Sequence, residues 1–108
     1  MLDDATRGLY WLAEVNRQVV GQLLVTPEWS DWRNGWFWWI QSVYVEPAWR
    51  RRGVFRALYD HVARAAREDP AVIGLRLYVE RANHVAQQTY AGMGMEPTGY
   101  VVFEKYPL

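Results

Sequence analysis

Arg50, Arg51, Arg52 and Arg56 crowd around Gly53 in one short run, Arg-Arg-Arg-Gly-Val-Phe-Arg. Residues of these types bind anions. Guanidinium groups donate paired, charge-assisted hydrogen bonds, and a glycine lets the backbone come close to a ligand. The flanks show which part of a fold presents them. Val43, Tyr44 and Val45 read as a strand end stopped by Pro47, while Val54, Leu58 and Val62 recur every four residues like the buried stripe of a helix. Strand, basic turn and helix put the arginines at a helix N-terminus, where N–H groups and the positive end of the dipole already favour phosphate. Cations there cost roughly 0.3–1 kcal/mol each. Four of them are explained either by a bound anion or, more blandly, by a solvated first turn. The phosphate loops Gly-x-x-x-x-Gly-Lys-Ser/Thr and Gly-x-Gly-x-x-Gly are both missing.

A second constellation follows the strand that ends near Glu80. Asn83 is an N-cap candidate, and Ala86, Tyr90 and Met93 share one face of a short helix closed by Gly94. Taken alone, Tyr90 is a core tyrosine as readily as a proton donor, and Asn83 a plain cap. Together the two stretches resemble the GNAT superfamily of N-acetyltransferases. Arg50-Arg51-Arg52-Gly53-Val54-Phe55 is similar to that family's pyrophosphate loop, Gln/Arg-x-x-Gly-x-Gly/Ala after a strand, with Phe55 where a small residue is usual. Asn83, Ala86, Tyr90 and the Gly-apolar ending are similar to its second signature in order and spacing, and the resemblance spans about residues 9–108.

The resemblance implies two central strands that splay apart, with acetyl-CoA wedged between them. Backbone groups of Val43 and Val45 would pair with the pantetheine, and Arg50, Arg51, Arg52, Gly53, Val54 and Phe55 would cradle the pyrophosphate. Asn83 would bond the pantetheine arm and Tyr90 would face the sulfur. The chemistry suits those roles. Acyl transfer needs its oxyanion stabilised, which a fixed N–H such as that of Val43 can do. The leaving thiolate needs a hydrogen-bond or proton donor, which a phenol at Tyr90 can be. An amine acceptor of pKa near 10.4 costs about 4.6 kcal/mol to deprotonate at pH 7, so a base or a water chain is expected. Many family members have an acid on the third strand, where this chain has Gln41 or Ser42. Glu28 is the best substitute and Glu14 the next, although both also read as solvated surface acids.

Composition bounds the rest. The chain has 108 residues, 51% hydrophobic and 22% charged, which fits one globular domain over residues 1–108. Net charge is zero, so nothing overall draws it to nucleic acid or anionic membrane. The basic charge is local, with six of twelve Lys and Arg between Arg50 and Arg67. Having no cysteine, the chain has no disulfide framework and no thiolate nucleophile, and His61 and His84 are too far apart in sequence to suggest a metal site. The start is acidic with no apolar run behind it, and no stretch approaches a membrane span. The expectation is a cytoplasmic protein without a metal.

The elements that must position these residues alternate plainly. Residues 1–7 are polar and expected to be loose. Residues 9–15 and 19–26 read as a hairpin around Asn16-Arg17-Gln18, and 27–35 as a loop with an Asn34-Gly35 turn. Strand 36–45, helix 53–67, strand 73–80, the short helix after Asn83 and a strand over 97–106 complete the chain. This is an α/β (α+β) layer, a mostly antiparallel mixed sheet with helices packed on it. Seven tryptophans fill the core and cap the sheet, or else Trp29, Trp32 or Trp36 walls an acceptor pocket.

GNAT domains usually begin with a strand and two helices before the hairpin. Here the hairpin starts by residue 9, so a short form is expected, with one hairpin strand as an open, proline-free edge that pairs into a homodimer. The functional expectation is acetyl transfer from acetyl-CoA to an amine in a ternary complex. A CoA-binding module without an acceptor pocket and a small interaction domain using the Trp-rich loop stay open beside it.

Overall fold

The computed structural model describes residues 8–108, so the expectation of a loose segment over residues 1–7 lies outside them. The order is β1 (Leu9–Val15), β2 (Gln18–Ser30), β3 (Gly35–Val45), a 3-10 turn (Pro47–Trp49), α1 (Val54–Glu68), β4 (Val72–Leu77) and α2 (His84–Gly92). Residues up to Tyr78 form one unit and Val79 to Leu108 a second. No helix among the described residues is long and apolar enough to cross a membrane.

In the first unit β1, β2 and β3 are antiparallel neighbours and β4 runs parallel to β3, in the order β1-β2-β3-β4. This is the mixed, mostly antiparallel α+β sheet expected. The first turn is tighter than its three polar residues suggest. Asn16 and Arg17 make it, at φ 51° and 65°, the left-handed pair that matches strand twist, and Gln18 already belongs to β2. The loop expected over 27–35 also shrinks, to residues 31–34, because 27–30 extend β2. Pro27 is tolerated there. By strand alternation its missing N–H faces the β1 side, beyond Leu9 and Val25, the last β1–β2 pair among the described residues. Asn34, at φ 54°, closes the turn, while Gly35, the second residue of the expected Asn-Gly turn, already belongs to β3.

The core lies between one face of this sheet and α1. Leu23, Val25 and Ile40 are buried from the strands, and Leu58, Tyr59, Val62, Ala63 and Ala66 from the helix. Each large aliphatic contributes roughly 1.5–3 kcal/mol on burial. The helix comes close because Gly21 has no side chain: a Cβ there would stand 2.7 Å from Val54 Cγ1 and 3.4 Å from Leu58 Cδ1. The start of α1 is thereby seated on β2, beside the end of β3.

In the second unit Asn83 caps α2, its Oδ1 accepting from the Ala86 N–H at 3.1 Å. Gln87 donates to the Glu80 and Arg81 carbonyls at 3.0 and 2.8 Å, tying the loop to the helix. Gly94, at φ 91°, ends α2: its N–H bonds Ala91 and the Met95 N–H bonds Tyr90, the paired closure typical of a left-handed helix stop. Two expectations are corrected. The strand read over 73–80 ends at Leu77, since the Glu80 carbonyl turns to Asn83 and Gln87. The strand read over 97–106 is not formed, and Val101, Val102 and Phe103 are exposed. β-prone side chains suit a pleated surface, but a strand also needs a partner for its backbone. No described strand pairs with this segment.

Candidate active site

One residue too many in β3 creates the site's first feature. Leu24 opposes Ser42 while Val25 opposes Ile40, so Gln41 is bulged, and its amide donates to Thr26 Oγ1 at 2.9 Å. On the other edge of β3, β4 pairs only along residues 36–40, ending at Ile40 opposite Leu77. Residues 41–45 therefore have no strand partner on that side among the described residues. At about 3.3 Å per residue that is roughly 17 Å of open edge.

Backbone direction along this stretch follows from one bond. The Glu46 N–H donates to the Val20 carbonyl at 2.8 Å, so the backbone at 44 and 42 faces β2, and that at 43 and 45 faces the open side. The Val45 carbonyl is met there by Arg50 Nε at 3.1 Å. Val43 and Val45 thus present backbone groups along an edge to which an extended amide-bearing chain can add.

The edge runs into the basic turn. Arg51 and Gly53 both take positive φ, 62° and 82°, and Gly53 is the N-cap of α1. It offers no side-chain cap, the first turn holds no acid, and a Cβ at Gly53 would meet nothing within 4 Å. A groove of about 380 Å³ results. Val43, Tyr44 and Val45 wall one side, and Trp49 to Arg51 with Gly53 to Arg56 wall the other. The four arginines are not equivalent. Arg50 and Arg51 line the groove, whereas Arg52 lies over the Trp49 ring, 4.9 Å from its centroid, and is not in the lining. Arg56 pairs with Asp60 at 3.2 Å, an exposed pair worth a few tenths of a kcal/mol. Phe55 sits with its ring 6.3 Å from that of Tyr59. A helix start, a left-handed turn and two guanidinium groups at the end of an open strand suit a ligand with amides at one end and phosphates at the other.

Asn83 and Tyr90 belong to the second unit. Asn83 spends its side-chain oxygen on the cap, leaving its NH2 as the group that can donate to a ligand. Tyr90 is half-buried on α2, and its carbonyl accepts from Met93 and Met95 at the helix stop.

Glu28 is not among the groove residues. It lies opposite Phe37, four residues of β3 short of Gln41, roughly 13 Å at strand spacing. Its Oε1 accepts from Trp39 Nε1 at 2.9 Å and from Arg76 at 3.2 Å, and Arg76 in turn lies 3.6 Å from the Phe37 ring centroid. Glu14 is exposed on β1, two strands away from β3. The three tryptophans considered for an acceptor wall are further off. Trp29 and Trp36 meet edge-on at 5.3 Å near the tip of the β2–β3 hairpin, and Trp32 stands exposed in its turn. Trp39 stands two residues before the open stretch, and Tyr78 stacks on it at 4.5 Å. Sequence reasoning also missed Tyr44 and Trp49 as groove residues. For Tyr44 the strand alternation was the available signal; for Trp49 there was none, since it depends on the turn after Pro47.

Comparison with known proteins bears on these features. Residues 1–95 match the model of the Acetyltransferase (GNAT) family. Among solved structures, a possible acetyltransferase from Clostridium difficile 630 is 41% identical, with a TM-score of 0.89 over 97% of this chain and 69% of that one. A probable acetyltransferase is 24% identical, with a TM-score of 0.81 over 94% and 68%. The aminoglycoside N-acetyltransferase AAC(6')-Iy in complex with CoA shares the fold at 17% identity, with a TM-score of 0.76 over 94% and 78%. No curated protein matches.

Proposed function

The chain belongs to the GNAT acetyltransferase family, and from that premise we propose that it transfers an acetyl group from acetyl-CoA to an amine, by direct attack in a ternary complex. One observation carries the reading: the open edge of β3 at residues 41–45 leads straight into a left-handed basic turn at the start of α1. Acetyl-CoA supplies an activated thioester on an arm of two amides that ends in phosphates. Backbone groups of Val43 and Val45 hold that arm, and the N–H of Val43 stabilises the oxyanion. The backbone of the turn from Arg51 to Phe55 takes the pyrophosphate, with the Arg51 guanidinium and, once released from Val45, that of Arg50. Arg52 acts by holding Trp49 in place. The Asn83 amide donates to the arm, and the Tyr90 phenol donates to the departing sulfur. With Glu28 tied to Trp39 and Arg76, the amine's proton passes to water.

The reading extends to three further points. The acceptor is an amine, the enzyme works in the cytoplasm where its co-substrate is made, and the working unit is a homodimer joined along β1. Calorimetry with acetyl-CoA, followed by thiol release on a panel of amines, tests the activity. The panel includes aminoglycosides and alanine-bearing ribosomal-protein peptides, after the names of two structurally similar enzymes, an aminoglycoside N-acetyltransferase and a ribosomal-protein-alanine N-acetyltransferase. Binding with thiol release is expected. Absence of binding at millimolar acetyl-CoA overturns the reading, and binding without release on any amine reduces it to a CoA-binding module.

A further inference from the structure

The open stretch of β3 has a closed end, and two aromatic rings stand over it. Pairing with β4 stops at Ile40 and Leu77. Trp39 is the residue before Ile40 and Tyr78 the residue after Leu77, and their rings stack across the two strands at 4.5 Å with planes 24° apart. Ile40 belongs to the core under α1, so Trp39, its neighbour in an alternating strand, lies on the opposite face of the sheet. The helix therefore covers this end from one side and the stacked pair covers it from the other. The Trp39 indole is fixed in the plane it needs, because its N–H is held by Glu28, which Arg76 holds in turn.

We propose that the Trp39–Tyr78 stack sets the length of acyl chain the enzyme accepts. The inference rests on the donor reading above. Counting from the basic turn, an arm with two amides is comparable in length to about four residues of extended chain, so it brings the acyl group to the neighbourhood of residue 41. Beyond that point the strands are paired and offer no room in the sheet plane. A chain longer than acetyl has to leave over the face the two rings occupy, and a wall that limits this space discriminates against each added methylene. Glu28 is then a positioning residue, acting through the Trp39 ring.

Calorimetry with CoA, acetyl-CoA and butyryl-CoA tests this without any acceptor. The wild-type chain should bind acetyl-CoA about tenfold or more tightly than butyryl-CoA. Tyr78→Ala, at a residue 66% exposed and so unneeded for the core, should bring that ratio close to one while leaving CoA affinity within about twofold. Tyr78→Trp, which keeps the stack and fills more space, should widen it. An unchanged ratio in Tyr78→Ala overturns the proposal, as does a wild-type chain without preference. Loss of CoA binding in Tyr78→Ala also overturns it, because the ring would then be part of the donor site and not a gate. A wild-type chain that binds none of the three compounds fails at the donor reading itself.

Discussion

Gly53 carries more of the groove's chemistry than any arginine, since it holds the chain in a left-handed turn and adds nothing that would stand between helix start and ligand. An alanine there must adopt φ near 82° with open space around its methyl group. Gly53→Ala should therefore cost about 1–2 kcal/mol in chemical denaturation, from backbone strain alone. Gly53→Glu should cost as much and also place a carboxylate against bound phosphate, lowering CoA affinity about tenfold or more below that of the alanine variant. Equal affinities in the two variants would move the phosphate away from the turn. Tyr90 is tested by its phenol. Tyr90→Phe keeps the ring, so CoA affinity should hold while kcat falls by about 10²-fold. An unchanged kcat would leave water as the proton donor to sulfur and make Tyr90 a packing residue. Arg50 shows why residue type alone is insufficient. Its guanidinium reads as a phosphate donor, yet in the structure its Nε is spent on the Val45 carbonyl, a bond fixed by the loop's path and not by composition.

At the scale of elements, the site depends on where α1 begins. Helix and sheet meet tightly at Gly21, where an added methyl would press on the branched, stiff Val54 at 2.7 Å. Gly21→Ala should cost about 1–3 kcal/mol and, by shifting Val54 and the turn before it, also weaken CoA binding. Gly92→Ala in α2 meets nothing within 4 Å and should be neutral or slightly stabilising, which makes it the control for denaturant midpoints. Loss of stability in Gly21→Ala with unaltered CoA binding would separate the seat of the helix from the groove. Elements with strong local signals are legible in the amino-acid sequence alone. The four-residue stripe of α1, the left-handed Asn34 before β3 and the Asn83 cap all form where their side chains indicate. Pro27 misleads because a proline reads as a strand breaker, yet it sits within β2 beyond Leu9 and Val25, the last β1–β2 pair among the described residues. Residues 97–106 mislead for the complementary reason, having strand composition without a paired edge. Glu28 could not be placed from sequence at all, since its partner Arg76 is distant in the chain and the two meet through the register of three strands.

For the whole molecule, charge and edges decide how it meets other molecules. Formal charge is balanced, so repulsion between copies is weak and does little to keep them apart. At one side of the sheet β1 pairs with β2 only, and no described strand covers its outer edge. An edge strand of seven residues without proline or lysine has few of the usual guards against pairing, Glu14 and the register shift beside it being those present, and Leu12 on it and Val19 beside it are 54% and 43% exposed. Two copies meeting edge to edge about a two-fold axis would satisfy the free N–H and C=O groups of both and bury those side chains together. Light scattering on the full chain should therefore show a dimer at concentrations where a Leu12→Lys variant is monomeric. The lysine puts charge at the centre of the edge without touching the core, and Leu12 is not among the residues that line the groove. CoA affinity of the variant should accordingly match that of the wild type. A wild-type chain monomeric from micromolar to millimolar concentration would overturn the dimer.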